Sequence, residues 1–192
     1  MENIYHRYIN LPFEIKRPDV TLEFPDHIRH QAINDHVDEQ VNKFNESLGL
    51  KVTHTEVFYT PPNGEKIPIH TDLPALDNRV KINVTWGPEE GVIRWFEHNN
   101  PEDMYHNNNE EYKDTGFTEE EHQNLLAEEH ECTLVYEANT NRPSIVNVGQ
   151  LHGTYNPGNE GRWTLCFHIG YLDYEDFLTF DKALEYYKDY LE

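Results

Sequence analysis

The segment Ile69-His70-Thr71-Asp72 sets an imidazole and a carboxylate two residues apart. In an extended chain such residues share a face, so both would point into one cavity. His-x-Asp is a short pattern, and taken alone it reads as a surface histidine beside an aspartate. A second segment changes the reading. Leu151-His152-Gly153-Thr154-Tyr155-Asn156-Pro157-Gly158 leads through a polar turn into Gly161-Arg162-Trp163-Thr164. A strand is expected over 162–170, with His152 just ahead of the turn before it. Alternation puts Trp163, Leu165, Phe167 and Ile169 on one face and Arg162, Thr164, Cys166 and His168 on the other. An inward arginine is costly unless it meets an anion. Two readings stand for Arg162. It forms a structural ion pair with one of the chain's many acids, or its guanidinium fork grips a bound carboxylate while the Thr164 hydroxyl adds a bond.

Two histidines and one carboxylate make a facial triad that leaves positions open on a non-haem iron. His70, Asp72 and His152 supply that set, and Arg162-x-Thr164 follows His152 by 10 residues. Here the chain resembles the Fe(II)/2-oxoglutarate-dependent oxygenases. Their pattern is His-x-Asp/Glu, a distal His, and an Arg-x-Ser/Thr soon after it; every position is matched, and the resemblance covers roughly 52–170. The lead-in Tyr59-Thr60-Pro61-Pro62-Asn63-Gly64 looks like two subfamilies. One is the prolyl hydroxylases, where a tyrosine before the His-x-Asp helps hold 2-oxoglutarate. The other is the aspartyl/asparaginyl and free-proline hydroxylase group, whose Pro-Pro loop and His-x-x-x-Asn are matched by Pro61-Pro62 and by His152 with Asn156.

The resemblance implies a double-stranded β-helix, a cupin-like jelly roll, and a set of roles. His70, Asp72 and His152 would bind Fe(II). The co-substrates would be 2-oxoglutarate and O₂, with the far carboxylate of 2-oxoglutarate on Arg162, helped by Thr164 and Tyr59. The activity implied is a dioxygenase that hydroxylates an amino-acid residue in a peptide or protein, or a free amino acid. Two alternatives stay open. A cupin-type metal enzyme without 2-oxoglutarate would have no use for Arg162-x-Thr164. A non-catalytic binding protein that keeps the fold would have no use for the intact triad.

The elements that must position these residues are mostly strands. Runs at 51–59, 66–72, 79–86, 91–97, 132–138, 143–148 and 162–170 read as β, separated by turn signals such as Pro61-Pro62-Asn63-Gly64 and Gly87-Pro88. A helix is expected from Pro25-Asp26 to Gly49, with Ile28, Ala32, Ile33, Val37, Val41, Phe44 and Leu48 as its apolar stripe. A terminal helix is expected from about Tyr174, burying Phe177, Leu178, Leu184, Tyr187 and Leu191. The fold class is therefore mainly β with flanking helices.

Between the strands, residues 99–131 read as an acidic insertion with too few apolar residues for a core of its own. Residues 101–131 hold 11 acids and one base, Lys113. Thr118-Glu119-Glu120-Glu121 reads as a capping box, with a helix expected through Leu125 and Leu126 to about Glu131. Its histidines, and those flanking it, read as solvated.

The whole chain, 192 residues, reads as one domain. Its formal net charge of −21 disfavours tight nucleic-acid binding and suits a basic peptide, a protein or a small amino acid as substrate. No apolar run is long enough for a membrane span, and the start MENIYHRYIN lacks the apolar stretch of a signal peptide, so a cytoplasmic location is expected. Cys132 and Cys166 read as free thiols.

Overall fold

The computed structural model describes residues 3–19, 29–33, 38–66, 69–72, 77–107, 124–173 and 176–192. In chain order the elements are β1 (His6–Tyr8), β2 (Arg29–Ala32), α1 (Glu39–Ser47), β3 (Leu50–Thr60), β4 (Glu65–Lys66), β5 (Ile69–His70), β6 (Val80–Trp86), β7 (Val92–His98), β8 (Tyr105–Asn107), β9 (Asn124–Ala127), β10 (Cys132–Ala138), β11 (Ser144–Asn147), β12 (His152–Asn156), β13 (Arg162–Tyr171) and α2 (Phe180–Tyr186).

One sheet has the order β1-β11-β6-β13-β3-β2, the other β10-β7-β12-β5-β9-β8, with β4 paired to β12. The central strands β3, β5, β6, β7, β10, β11, β12 and β13 are shared between the sheets as β11-β6-β13-β3 and β10-β7-β12-β5. That interleaving, with antiparallel neighbours, is a jelly roll, so the expected fold class holds.

The sheets divide the molecule unevenly. Val57, Ile82, Val84, Leu165, Phe167 and Ile169 point out of the first sheet into the main apolar core, with Val41, Phe44, Phe180, Ala183 and Tyr187. The alternate residues point between the sheets and are polar yet buried: Glu56, Lys81, Asn83, Thr85, Arg162 and Thr164. A strand buried on both faces usually reads as a continuous apolar run. This jelly roll keeps its oil outside the first sheet and a polar chamber inside.

Three expected elements differ. Among the described residues, the helix expected over 25–49 is Glu39–Ser47, started by Asp38, whose side chain accepts from the Gln40 amide at 2.8 Å. Arg29–Ala32 is instead a strand against β3. The apolar period continues through both segments, but pairing with the edge of a sheet outweighs helix propensity in the first. The start of that helix at Pro25 lies outside the described residues, as do Val37 and Tyr174.

Second, α2 begins at Phe180 because Leu178 is tied into strand-like contacts. Its amide donates to Ile169 O at 3.1 Å and its carbonyl accepts from Val80 N at 3.1 Å. Third, Asn124–Ala127 is strand, not helix, and only a single 3₁₀ turn follows at Glu129–Glu131. β5 needs a hydrogen-bonding neighbour, and β9 supplies it, with Ile69 opposite Ala127 and His70 opposite Leu126. Leu125 and Ala127 are buried, so this end of the acidic segment belongs to the fold. The capping box at 118–121 lies outside the described residues.

Among the described residues no helix is long and apolar enough to cross a membrane. Cys132 and Cys166 are both free.

Candidate metal centre and anion pocket

His70 ends β5, and His152 opens β12, a strand unmarked in the sequence because Gly153 and Asn156-Pro157-Gly158 read as turn. The two histidines are direct register partners. Their rings lie 4.5 Å apart at 44°. Asp72 sits just beyond β5, held by its amide on Val148 O at 3.0 Å. Its Oδ1 is 3.4 Å from His70 Nε2 and 3.5 Å from His152 Nε2. The donor atoms of His70, Asp72 and His152 thus lie within 4.8 Å of one another.

The chemistry of this set suits a divalent transition ion. His152 Nδ1 lies 2.9 Å from Gln150 O, so that nitrogen carries the proton and Nε2 keeps its lone pair. Burial, with His70 close by, pushes the His152 imidazole down to about 4, so it is neutral at physiological pH. Burial alone would raise the Asp72 carboxyl. The Lys81 ammonium and the two imidazoles outweigh it and hold the acid well below the usual carboxylate range. A neutral His152 imidazole and an anionic Asp72 carboxylate are the ligand states a metal requires.

Asn156, at the far end of β12, is fully buried and ties down the next turn. Its amide donates to Thr60 O, Pro61 O and Glu160 O at 3.2, 2.9 and 2.8 Å. The His-x-x-x-Asn spacing thus joins a histidine of this cluster to a structural staple.

Arg162 opens β13 on the chamber side, and its side chain is only 1% exposed. Its Nη1 donates to Thr164 Oγ1 at 2.9 Å, and its Nη2 to Thr140 Oγ1 at 3.1 Å and Thr85 Oγ1 at 3.4 Å. Its Nε has no hydrogen-bond partner among the described residues. Among the described residues no carboxylate pairs with the guanidinium, so none of them forms the structural ion pair allowed by the sequence. Gly91 makes room for it, since a Cβ there would lie 2.8 Å from Arg162 Cδ. Burial lowers the guanidinium to about 10, which still leaves it charged at neutral pH. A buried cation among neutral hydroxyls is an environment that an anion would stabilise.

Tyr59 requires a correction. It pairs with Trp163, while Arg162 pairs with Thr60. Register partners share a face, so Tyr59 lies on the outer side with Trp163, its ring 5.0 Å from that indole. It does not face the pocket of Arg162; the chamber-side positions next to it are Phe58 and Thr60.

Thr85, Thr140 and Glu56 belong to no motif in the sequence, yet all three are buried at the chamber. Glu56 and Lys81 form a buried ion pair, and Lys81 Nζ is also 2.6 Å from Asp72 Oδ2. A lysine alternating with Val80, Ile82 and Val84 was the available signal, since it must point inward with a charge. Cys166 lies between the two ends of the chamber. Burial raises its thiol, and Lys81, Glu56, Asp72 and Arg162 all act on it electrostatically.

No protein-family model and no curated protein sequence matches the chain. Among solved structures, EvdMO1 is similar over 73% of this chain and 35% of its own, at 16% identity and a TM-score of 0.42. A non-heme monooxygenase, ThoJ in its apo form, is similar over 74% of this chain and 58% of its own, at 16% identity and a TM-score of 0.38. EvdO2 from Micromonospora carbonacea var. aurantiaca is similar over 74% of this chain and 63% of its own, at 12% identity and a TM-score of 0.36. The chain therefore spans less than two thirds of the length of each. Overlaps this loose assign no activity to it.

Proposed function

We propose that this chain is an Fe(II)- and 2-oxoglutarate-dependent dioxygenase that hydroxylates an amino-acid residue in a peptide or protein, or a free amino acid. The observation that carries the reading is Arg162, a buried guanidinium with hydroxyl partners and no carboxylate among the described residues, in the same polar chamber as a two-histidine, one-carboxylate cluster. His70, Asp72 and His152 hold the metal. Arg162 pairs with the far carboxylate of 2-oxoglutarate, and the Thr164 hydroxyl stays within reach of the same group.

When bound, iron couples the oxidation of 2-oxoglutarate by O₂, to succinate and CO₂, to hydroxylation of a substrate C–H bond. The chain's own residues do the rest. Gln150 O fixes the His152 tautomer through Nδ1, which leaves Nε2 for the metal. Arg162, Lys81 and Glu56 are buried, and the low local dielectric strengthens each charged contact. Arg162 sets the orientation of the co-substrate, because its fork matches a carboxylate in two places.

Lys81 is a poor substitute for Arg162 as the carboxylate's partner, since its ammonium is already paired with Asp72 and Glu56. The reading is tested by incubating the protein with iron, 2-oxoglutarate and O₂ and measuring succinate. Succinate that requires both iron and intact Arg162 supports it. Metal binding with no consumption of 2-oxoglutarate would favour a cupin-type enzyme instead.

A further inference from the structure

A second donor group lies in the chamber, formed by His54, Glu56 and His168, whose donor atoms are within 4.8 Å of one another. Its neighbours argue against a second metal ion. His168 Nε2 is 2.9 Å from Glu56 Oε1, the same oxygen that pairs with the Lys81 ammonium. His54 Nε2 stands 3.7 Å from Oε2. The Glu56 oxygen nearest His168 is already taken by the ammonium, whereas Asp72 keeps Oδ1, the oxygen facing its two imidazoles, clear of it. The group instead surrounds the carboxylate that neutralises Lys81.

Lys81 bridges this group to the metal cluster. Its side chain is 6% exposed, that of Glu56 6% and that of Asp72 15%. Burying an ammonium is expensive unless carboxylates compensate it, and here two do. The Asp72 carboxylate is thereby split in function. Oδ1 faces both imidazoles, at 3.4 and 3.5 Å, while Oδ2 faces Lys81 Nζ at 2.6 Å. A carboxylate with both oxygens free can clasp a cation with both.

We infer that Lys81 is a positioning residue that restricts Asp72 to a single metal-binding oxygen, so that a coordination position stays open after 2-oxoglutarate has taken its two. Glu56, held by His168 and His54, is the counter-ion that keeps Lys81 in place. The inference rests on the metal reading proposed above and adds to it the reason the third position remains free.

The test uses the whole chain with Mn(II), a paramagnetic stand-in whose bound waters are counted by solvent proton relaxation. Wild type is expected to bind one equivalent. In Lys81→Met the freed Oδ2 joins the metal and displaces a water, so relaxivity per bound ion falls by about a third, from roughly three open positions to two. Lys81→Arg, which restores a cation beside Oδ2, should recover the wild-type value. If Lys81→Met does not fold, the double variant Lys81→Met/Glu56→Gln removes both charges of the inner pair and should show the same loss. Unchanged relaxivity in a folded Lys81→Met or double variant overturns the inference while leaving the metal site intact. Asp72→Ala separates the two questions: if it binds Mn(II) as tightly as wild type, the metal reading itself fails. A second bound equivalent that Glu56→Gln abolishes would overturn the assignment of Glu56 as the counter-ion of Lys81.

Discussion

His70 and His152 are register partners across the β5–β12 pairing, with ring centroids 4.5 Å apart. Two imidazoles 82 residues apart in the chain are thus set side by side by a backbone ladder, and Asp72 reaches the same point from beyond β5. Alanine at Asp72 or at His152 should abolish the rise in melting temperature that wild type shows on adding Co(II) or Mn(II). Thermal scans with and without metal check this. A variant that keeps the full rise would place the ion elsewhere.

The support behind β5 predicts a stability effect. Leu125 is buried, its carbonyl accepts from Thr71 N at 2.9 Å, and its amide donates to Thr71 Oγ1. Leu125→Ala should cost about 2–4 kcal/mol, in the range of buried leucine truncations. Urea unfolding measures it. A loss below about 0.5 kcal/mol, the range of ordinary surface substitutions, would show that β9 is a dispensable part of the acidic segment.

Asn156 donates to three backbone carbonyls around the turn into β13. Asn156→Ala leaves those acceptors without their donor and should cost roughly 1–3 kcal/mol. The same denaturant titration reads it, and Asn156→Asp should be no better, since it removes the N–H donors while keeping the shape.

His6 gives the chain a pH dependence independent of the metal site. Burial, followed by Arg7 and Arg142, pushes its imidazole down to about 4. The unfolded histidine titrates near 6.5, so between those values the unfolded state binds the extra proton. Stability from this group is therefore fully present above about pH 6.5 and is lost as pH falls toward about 4, by up to about 3 kcal/mol. His6→Phe removes the titration and keeps a ring beside Tyr8, so its apo-protein stability should fall less between pH 7 and 4.5. An equal fall in both proteins would contradict the assignment.

What the sequence made legible follows from where alternation was clean. β3, β6, β7, β10, β11 and β13 match the expected runs to within a residue or two, because apolar and polar residues alternate between turn signals. β12 was hidden by its glycine and by turn residues that belong to its end. The helix over 25–49 failed because a continuous apolar stripe cannot reveal that Arg29–Ala32 pairs with β3. That His70 and Asp72 share a face and that Arg162 points inward was readable from parity, while the clustering of His152 with them was implied by the family resemblance. Tyr59 was matched by distance along the chain alone, and the register sets it on the outer face. Glu56 was invisible, since its pairing with Lys81 joins β3 to β6, which are separated by β13 in the sheet.

The central claim is that one chamber binds metal at His70, Asp72 and His152 and the far carboxylate of 2-oxoglutarate at Arg162. The direct measurement is anaerobic titration of 2-oxoglutarate into the Fe(II)-loaded protein, following the metal-to-ligand charge-transfer absorption. Wild type should develop the band and saturate. Arg162→Ala should keep its iron but bind 2-oxoglutarate more weakly by about 2–5 kcal/mol, or roughly 30- to several-thousand-fold. Arg162→Lys should be intermediate, and Thr164→Val should lose only about 1 kcal/mol. A wild-type protein that binds iron yet shows no such band, or an Arg162→Ala variant that binds 2-oxoglutarate as tightly as wild type, would contradict the account.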